Sequence, residues 1–350
     1  MTTFEQYRAT REFPQLDGLR AISILLVLTI HSHVTQLRFL NGYTGVTIFF
    51  VLSGYLITTL LLRERDKHGR VFIGGFYIRR ALRLLPLYYL VLAANVLAVV
   101  AGFGQNPGDF GRRLLFFLAY LNEFAGPGAF GHSWSLAIEE KFYFVWPLLA
   151  FAVPALWKWR PWIAGVLAVA AAVSGIWGGY LSIYAPIIFG CLVAILLHNE
   201  RGYRFAAKAA RPLPAALLGA LAVTGLLLST TDSHQQVLFG FAFALALPVL
   251  LIGPRRAHAW LAWKPLPFVG VLAYAIYLIH PLVGSVIDAV LPDTRQLPWS
   301  VVHLVLMTGL SIGAARLLHV FIEEPLKQLG RRISESRRSV GTLPADPARA

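Results

Sequence analysis

Arg20 and His31 lie eleven residues apart in an otherwise apolar run, LDGLRAISILLVLTIH. On a helix that separation is about three turns and about 16 Å of rise, so both side chains project from nearly the same face. A guanidinium at one membrane edge then lines up with an imidazole nearer the midplane. Imidazole is the side chain best suited to take a proton near neutral pH. Placing one at the end of the apolar stretch Ala21–Ile30 costs free energy that packing alone does not recover, so a general base is the sharp reading of His31. Structural readings stand beside it: an interfacial histidine bonded to a neighbour, and Arg20 as a snorkelling anchor.

Three other stretches carry comparable chemistry. Arg80 and Arg83 in FYIRRALRLLPLYYL are three apart and share a face. Paired guanidiniums hold phosphates bidentately, and a basic juxtamembrane helix also binds anionic lipid. In HSWSLAIEEKFYFVWP, Glu139, Glu140 and Lys141 stand near the outer end of a span. Adjacent helical residues point about 100° apart, so one carboxylate is expected inward, where it could orient a histidine base. The alternative is a structural ion pair with Lys141 or Arg316. Tyr274, Tyr277 and His280 recur at steps of three on one helix face, and the tyrosines also suit an interfacial belt. Ser53-Gly54, in the middle of GVTIFFVLSGYLITTLLL, reads as a small-residue site for close helix approach rather than as a nucleophile.

The elements that must position these groups follow from composition. Of the 350 residues 57% are hydrophobic and only 14% charged, with a mean hydropathy of +0.63. Soluble domains carry about 25% charged residues, so this is an integral membrane protein and the fold class is an all-α, polytopic helical bundle. Ten spans are expected: Ala21–Leu40, Gly45–Leu62, Leu84–Ala101, Ser135–Val153, Trp162–Tyr180, Ile183–His198, Leu213–Ser229, Gln236–Ile252, Leu266–Leu291 and Pro298–Ile322. The net charge of +14 is no sign of nucleic acid here, because its distribution gives topology instead. With both termini cytoplasmic, only Arg38, Arg112, Arg113 and Arg295 fall outside. Leu114–Phe124 then becomes a re-entrant or interfacial outer element that protein must shield. The first apolar segment lacks the pattern of a cleaved signal and is expected to be retained. Cys191 is the single cysteine, so no intrachain disulfide forms. From residue 329 the composition predicts a disordered cytoplasmic tail.

Taken in order, LDGLRA with its histidine, GVTIFFVLSGYLIT, FYIRRALRLLPLYYL, HSWSLAIEEKFYFVWP, VGVLAYAIYLIHP and FIEEPL resemble the acyltransferase 3 family of bacterial membrane O-acyltransferases, over residues 12–328. The resemblance implies a multi-pass protein of the bacterial cytoplasmic (inner) membrane. It takes an acyl group, commonly acetyl, from cytoplasmic acyl-CoA to a hydroxyl of a cell-envelope glycan, exported saccharide or small metabolite. By position His31 and Glu139 match catalytic residues, with Glu139 orienting His31. Arg20, Arg80 and Arg83 match the donor-binding arginines. Trp134, Ser135, Tyr274, Tyr277 and His280 are candidate substrate-site residues. No permanently bound cofactor and no metal site are expected; acyl-CoA is the donor substrate, and the partners are the acceptor and the lipid bilayer. Thr47, Lys141 and Glu324 depart from the Asp, Gln and Arg common in the family, and Lys141 could alter the pairing of Glu139. Some relatives carry a soluble hydrolase-like domain after the bundle, which this chain lacks, so one-protein transfer or a separate periplasmic or extracellular helper is expected. The alternative of another class is a proton-coupled transporter or flippase for a polar or lipid-linked substrate.

Overall fold

The structure is a computed structural model and describes residues 2–103, 107–228, 231–291 and 293–340. Its early helices are α1 (Phe4–Ala9), α2 (Pro14–Ile30), α3 (Tyr43–His68), α4 (Ile73–Val100), α5 (Pro107–Leu118) and α6 (Trp134–Pro147). The middle of the chain forms α7 (Arg160–Ile176), α8 (Ala185–His198), α9 (Glu200–Ala209), α10 (Pro212–Leu228) and α11 (Ser233–Ile252). The last part forms α12 (Arg255–His258), α13 (Pro265–Val271), α14 (Ala273–Val290), α15 (Trp299–Leu318) and α16 (Glu324–Val340). No strand occurs among the described residues, as a chain dominated by long apolar runs requires.

Among the described residues, seven helical segments are long and apolar enough to cross a membrane: Thr35–His68, Ile73–Val100, Pro154–Ile176, Tyr180–His198, Ser233–Ile252, Ala273–Val290 and Trp299–Arg337. The α9 and α10 pair, bent by 81° at its break, makes an eighth if taken as one span. This is a multi-pass membrane protein. Of the ten expected spans, Ala21–Leu40, Ser135–Val153 and Leu213–Ser229 are not among the seven, and the last enters only with the bent pair. Ala21–Leu40 breaks at His31, whose φ of −90° and ψ of 0° end α2, and continues as a 3-10 turn over Thr35–Leu40. Ser135–Val153 passes at Pro147 into a π turn over Leu148–Ala152. Leu266–Leu291 is also divided at Leu272 between α13 and α14, and its α14 part is one of the seven. Within Leu213–Ser229, Ser229 lies outside the described residues.

The Leu114–Phe124 piece belongs to α5 and a following turn at Asn122–Phe124. With 12 residues, α5 is about 18 Å long, well short of the about 30 Å of a hydrocarbon core. It packs on α4, where the Tyr88 hydroxyl donates to the Phe117 carbonyl at 2.8 Å and Phe110 and Phe117 are buried.

At the chain's other end the sequence expectation fails for residues 329–340, which continue as α16 instead of coil. Polar composition suggested disorder, but Gly330 and Ser334 are four apart and form one buried face against α4. There Ser334 Oγ accepts from Arg79, which also reaches Glu64 at 3.2 Å. Residues 341–350 lie outside the described residues.

Two close approaches fix the bundle around the helices that carry chemistry. Gly54 of α3 meets α8 so tightly that a Cβ there would lie 1.8 Å from the Ile187 carbonyl oxygen, and one at Gly190 would lie 2.0 Å from that of Val51. The small-residue reading of Ser53-Gly54 thus holds for Gly54. On the other side of α3, α2 is pressed against α13, where a Cβ on Gly270 would lie 1.8 Å from the Asp17 carbonyl oxygen. Gly54→Ala forces α3 and α8 apart and is expected to cost about 1–3 kcal/mol of stability, read as a lower melting temperature in detergent.

Candidate active site

Inside the bundle, α2, α3, α4, α6 and α14 enclose one polar cavity. Because α4 is an uninterrupted helix from Ile73, Arg80 and Arg83 are stacked a turn apart and both line it. Arg20 reaches it from α2, with its Nη1 donating to Asp17 Oδ1 at 2.9 Å. The Arg80 guanidinium sits 3.9 Å from the centroid of the Tyr143 ring, a cation–π contact that holds the charge in place. Three guanidiniums converging within a membrane protein make a site for a multiply charged anion such as a phosphate ester.

Glu139 and Glu140 both line this cavity, so the expectation that one carboxylate would turn inward is corrected: the cavity wraps far enough around α6 to meet side chains 100° apart. Glu139 Oε1 accepts from Ser53 Oγ at 2.5 Å. Lys141 touches neither glutamate; its Nζ is paired with Glu123 and donates to the Tyr120 carbonyl at 3.3 Å. The departure at Lys141 therefore leaves Glu139 as it is.

His31 is not joined to Glu139. Its Nδ1 faces the Val27 carbonyl at 3.1 Å and His280 Nε2 at 3.2 Å, with the two rings 4.6 Å apart. His280 Nδ1 in turn lies 3.1 Å from the Ile276 carbonyl. Carbonyls only accept, so His280 carries its proton on Nδ1 and presents Nε2 as an acceptor. His31 must then donate from Nδ1, which leaves its Nε2 with a free lone pair. Backbone carbonyls thereby set both tautomers, and the residue that orients His31 is His280. A third ring, His132, completes the group at 6.3 Å from His31 and 5.3 Å from His280, with its buried Nε2 unbonded.

The arginine cavity and the histidine group meet at Tyr277 and Ser135, which line the first. The Tyr277 hydroxyl lies 2.7 Å from Ser135 Oγ and donates to the His132 carbonyl. Its ring stands 5.4 Å from His132 and 5.9 Å from His280. Tyr274, one turn earlier on the same face, lines the cavity and donates to the Leu84 carbonyl at 2.7 Å. Trp134 does not line it and packs edge-on against Phe50.

The family model for the acyltransferase domain matches residues 13–316, which is most of the chain. The chain belongs to the acyltransferase domain family. It is 30% identical to YrhL of Bacillus subtilis (strain 168), whose name gives it provisionally as a peptidoglycan O-acetyltransferase; 94% of this chain and 57% of that protein are covered. It is 27% identical to the peptidoglycan O-acetyltransferase OatA of Listeria monocytogenes, with 92% and 57% covered. The chain thus spans less than two thirds of the length of these relatives. No solved structure matches it. Nothing in the acyltransferase kinship supports the transporter alternative.

Sequence reading singled out Arg20, Arg80, Arg83, Glu139, Ser135, Tyr274 and Tyr277, which this acyltransferase domain gathers on one cavity, and His31 and His280, which it joins beside it. It assigned no site role to Tyr143 or His132, and read Ser53 as a packing residue without foreseeing its bond to Glu139. Ser53 and its partner Glu139 are 86 residues apart in the chain, a separation that carries no local signal. His132 opens the HSWSL stretch and had no assigned role there.

Proposed function

We propose that the chain is a membrane O-acyltransferase that moves an acetyl or other acyl group from acyl-CoA to a hydroxyl of a cell-envelope glycan. The observation that supports it best is the junction of two unlike sites, an arginine-lined cavity and a histidine with a free Nε2, across Ser135 and Tyr277. Membership of the acyltransferase domain family and the peptidoglycan O-acetyltransferase names of its relatives favour the same reaction class and a glycan acceptor.

In this reading both termini are cytoplasmic and the membrane is the bacterial inner membrane. Arg80, Arg83 and Arg20 hold the phosphates of acyl-CoA from the cytoplasmic side. The thioester passes Tyr277 toward His31. An acceptor hydroxyl attacks the thioester carbonyl while His31 Nε2 takes its proton. The carbon–sulfur bond then breaks, and the proton leaves with the CoA thiolate as the free thiol. His280 holds the His31 ring, whereas Glu139, fixed by Ser53, serves the donor cavity. Acyl-CoA is a substrate rather than a resident cofactor.

The test uses the full chain in proteoliposomes with acetyl-labelled acetyl-CoA and soluble peptidoglycan fragments. Label is expected in an ester released from the glycan by mild base, with one CoA thiol freed per ester. Absence of any thioester consumption, with or without acceptor, would sink the proposal.

A further inference from the structure

Two residues beyond His31, another set of ligand-type side chains converges. His33 follows the end of α2, Asp288 stands in the last turn of α14, and His303 stands in α15. His33 Nε2 lies 3.1 Å from Asp288 Oδ1, and His303 Nε2 lies 3.4 Å from the same oxygen. Thr294 Oγ1 donates to that oxygen at 2.6 Å and fixes the carboxylate. Among the described residues no other group of three histidine, cysteine or carboxylate side chains brings its ligand atoms within 4.8 Å of one another.

His303 decides how this cluster is read. It is only 1% exposed, and neither of its ring nitrogens makes a hydrogen bond. A proton shared between His33 and Asp288 satisfies those two groups and leaves His303 only a 3.4 Å approach to the same oxygen, and a buried polar group without a hydrogen bond is costly. An ion placed among the three nitrogen and oxygen atoms serves all of them. Donors held about 2.0 Å from a tetrahedral zinc ion lie about 3.3 Å apart, which is the spacing of both imidazoles from Asp288 Oδ1.

We propose that His33, Asp288 and His303 form a binding site for a divalent transition metal, with zinc the ion that best suits two imidazoles and one carboxylate. Three protein ligands leave a fourth position open. Asp288 is 40% exposed, so ions and water reach the site from outside the bundle. Two neutral imidazoles and one carboxylate leave the bound ion with a net positive charge. The fourth ligand is therefore an oxygen, from water or from a hydroxyl-bearing or anionic molecule. The ion also ties the segment after α2 to α14 and α15, two residues from His31.

The experiment uses the purified full chain in detergent, stripped with a chelator and then titrated with zinc or cobalt(II). Equilibrium dialysis should give one zinc per chain, and the cobalt form should show the visible absorption of a four-coordinate nitrogen and oxygen site. Asp288→Asn and His303→Gln should each weaken zinc binding by more than about ten-fold. Zinc affinity unchanged in both variants, or lost instead in His280→Ala, would overturn the assignment. Should either variant fail to fold, the cobalt spectrum of the unaltered chain decides, and absence of the four-coordinate bands counts against the site. None of these readouts depends on acyl transfer, so this proposal and the proposed function fail separately.

Discussion

His31→Ala is expected to lower acyl transfer by about 10²–10⁴-fold, the range for loss of a general base, while acyl-CoA binds as before. The split follows from geometry. His31 is outside the arginine cavity, and its bonded neighbours are the Val27 carbonyl and His280, so removing the ring takes nothing from the donor phosphates. Single-turnover acetyl transfer alongside calorimetric donor titration separates the two quantities. His280→Ala should reduce the same step by a smaller factor, because His31 keeps its bond to Val27 and loses only the second constraint on its Nδ1. Transfer at the unaltered rate in a folded His31→Ala protein would remove His31 from the reaction.

The paired substitution Arg80→Ala/Arg83→Ala should act on the other half of the site. A hydrogen bond to a charged group contributes about 1.5–3 kcal/mol, so losing one guanidinium weakens donor binding by about ten-fold to a hundred-fold, and losing both by more. Arg80 also forfeits its stacking on Tyr143, and Glu139 and Glu140 lose the cation beside them, which adds to the effect. Raising ionic strength should weaken acyl-CoA binding in the unaltered protein and have less effect on the double variant. A donor affinity that is insensitive to both changes would place the phosphates elsewhere.

These effects fall on residues the sequence already marked, and the reason is local periodicity. Arg80 with Arg83, and Tyr274 with Tyr277 and His280, each recur at a helical step, so their shared faces are written into neighbouring positions. The membrane class was equally legible from apolar runs. Where the reading went wrong, the controlling partner lay far along the chain. A carboxylate beside an imidazole is a common catalytic pair, but Glu139 is bonded to Ser53, and the ring beside His31 is that of His280. Lys141 follows two glutamates in sequence, whereas its partner, Glu123, comes from the turn after α5. His33, Asp288 and His303 have no sequence spacing that suggests a metal, since only the meeting of α2, α14 and α15 brings them together. The expected ten spans are not matched by as many long helices for a related reason. Hydropathy averages over a window and passes smoothly through His31, Pro147 and Leu272, where α2, α6 and α13 end.

The hydroxyl of Tyr277 bears on a demand that any enzyme working across a lipid barrier faces. A polar shaft running open from the arginines to the histidines would let protons and small ions leak down their gradients. Tyr277 bridges Ser135 and the backbone of His132 where the two polar regions meet, so hydrogen-bonded side chains stand in the joint. In the proposed reaction the acyl group displaces that plug as it passes, and the plug re-forms once it has gone. Leakage would thereby be confined to the moment when substrate itself occupies the gap.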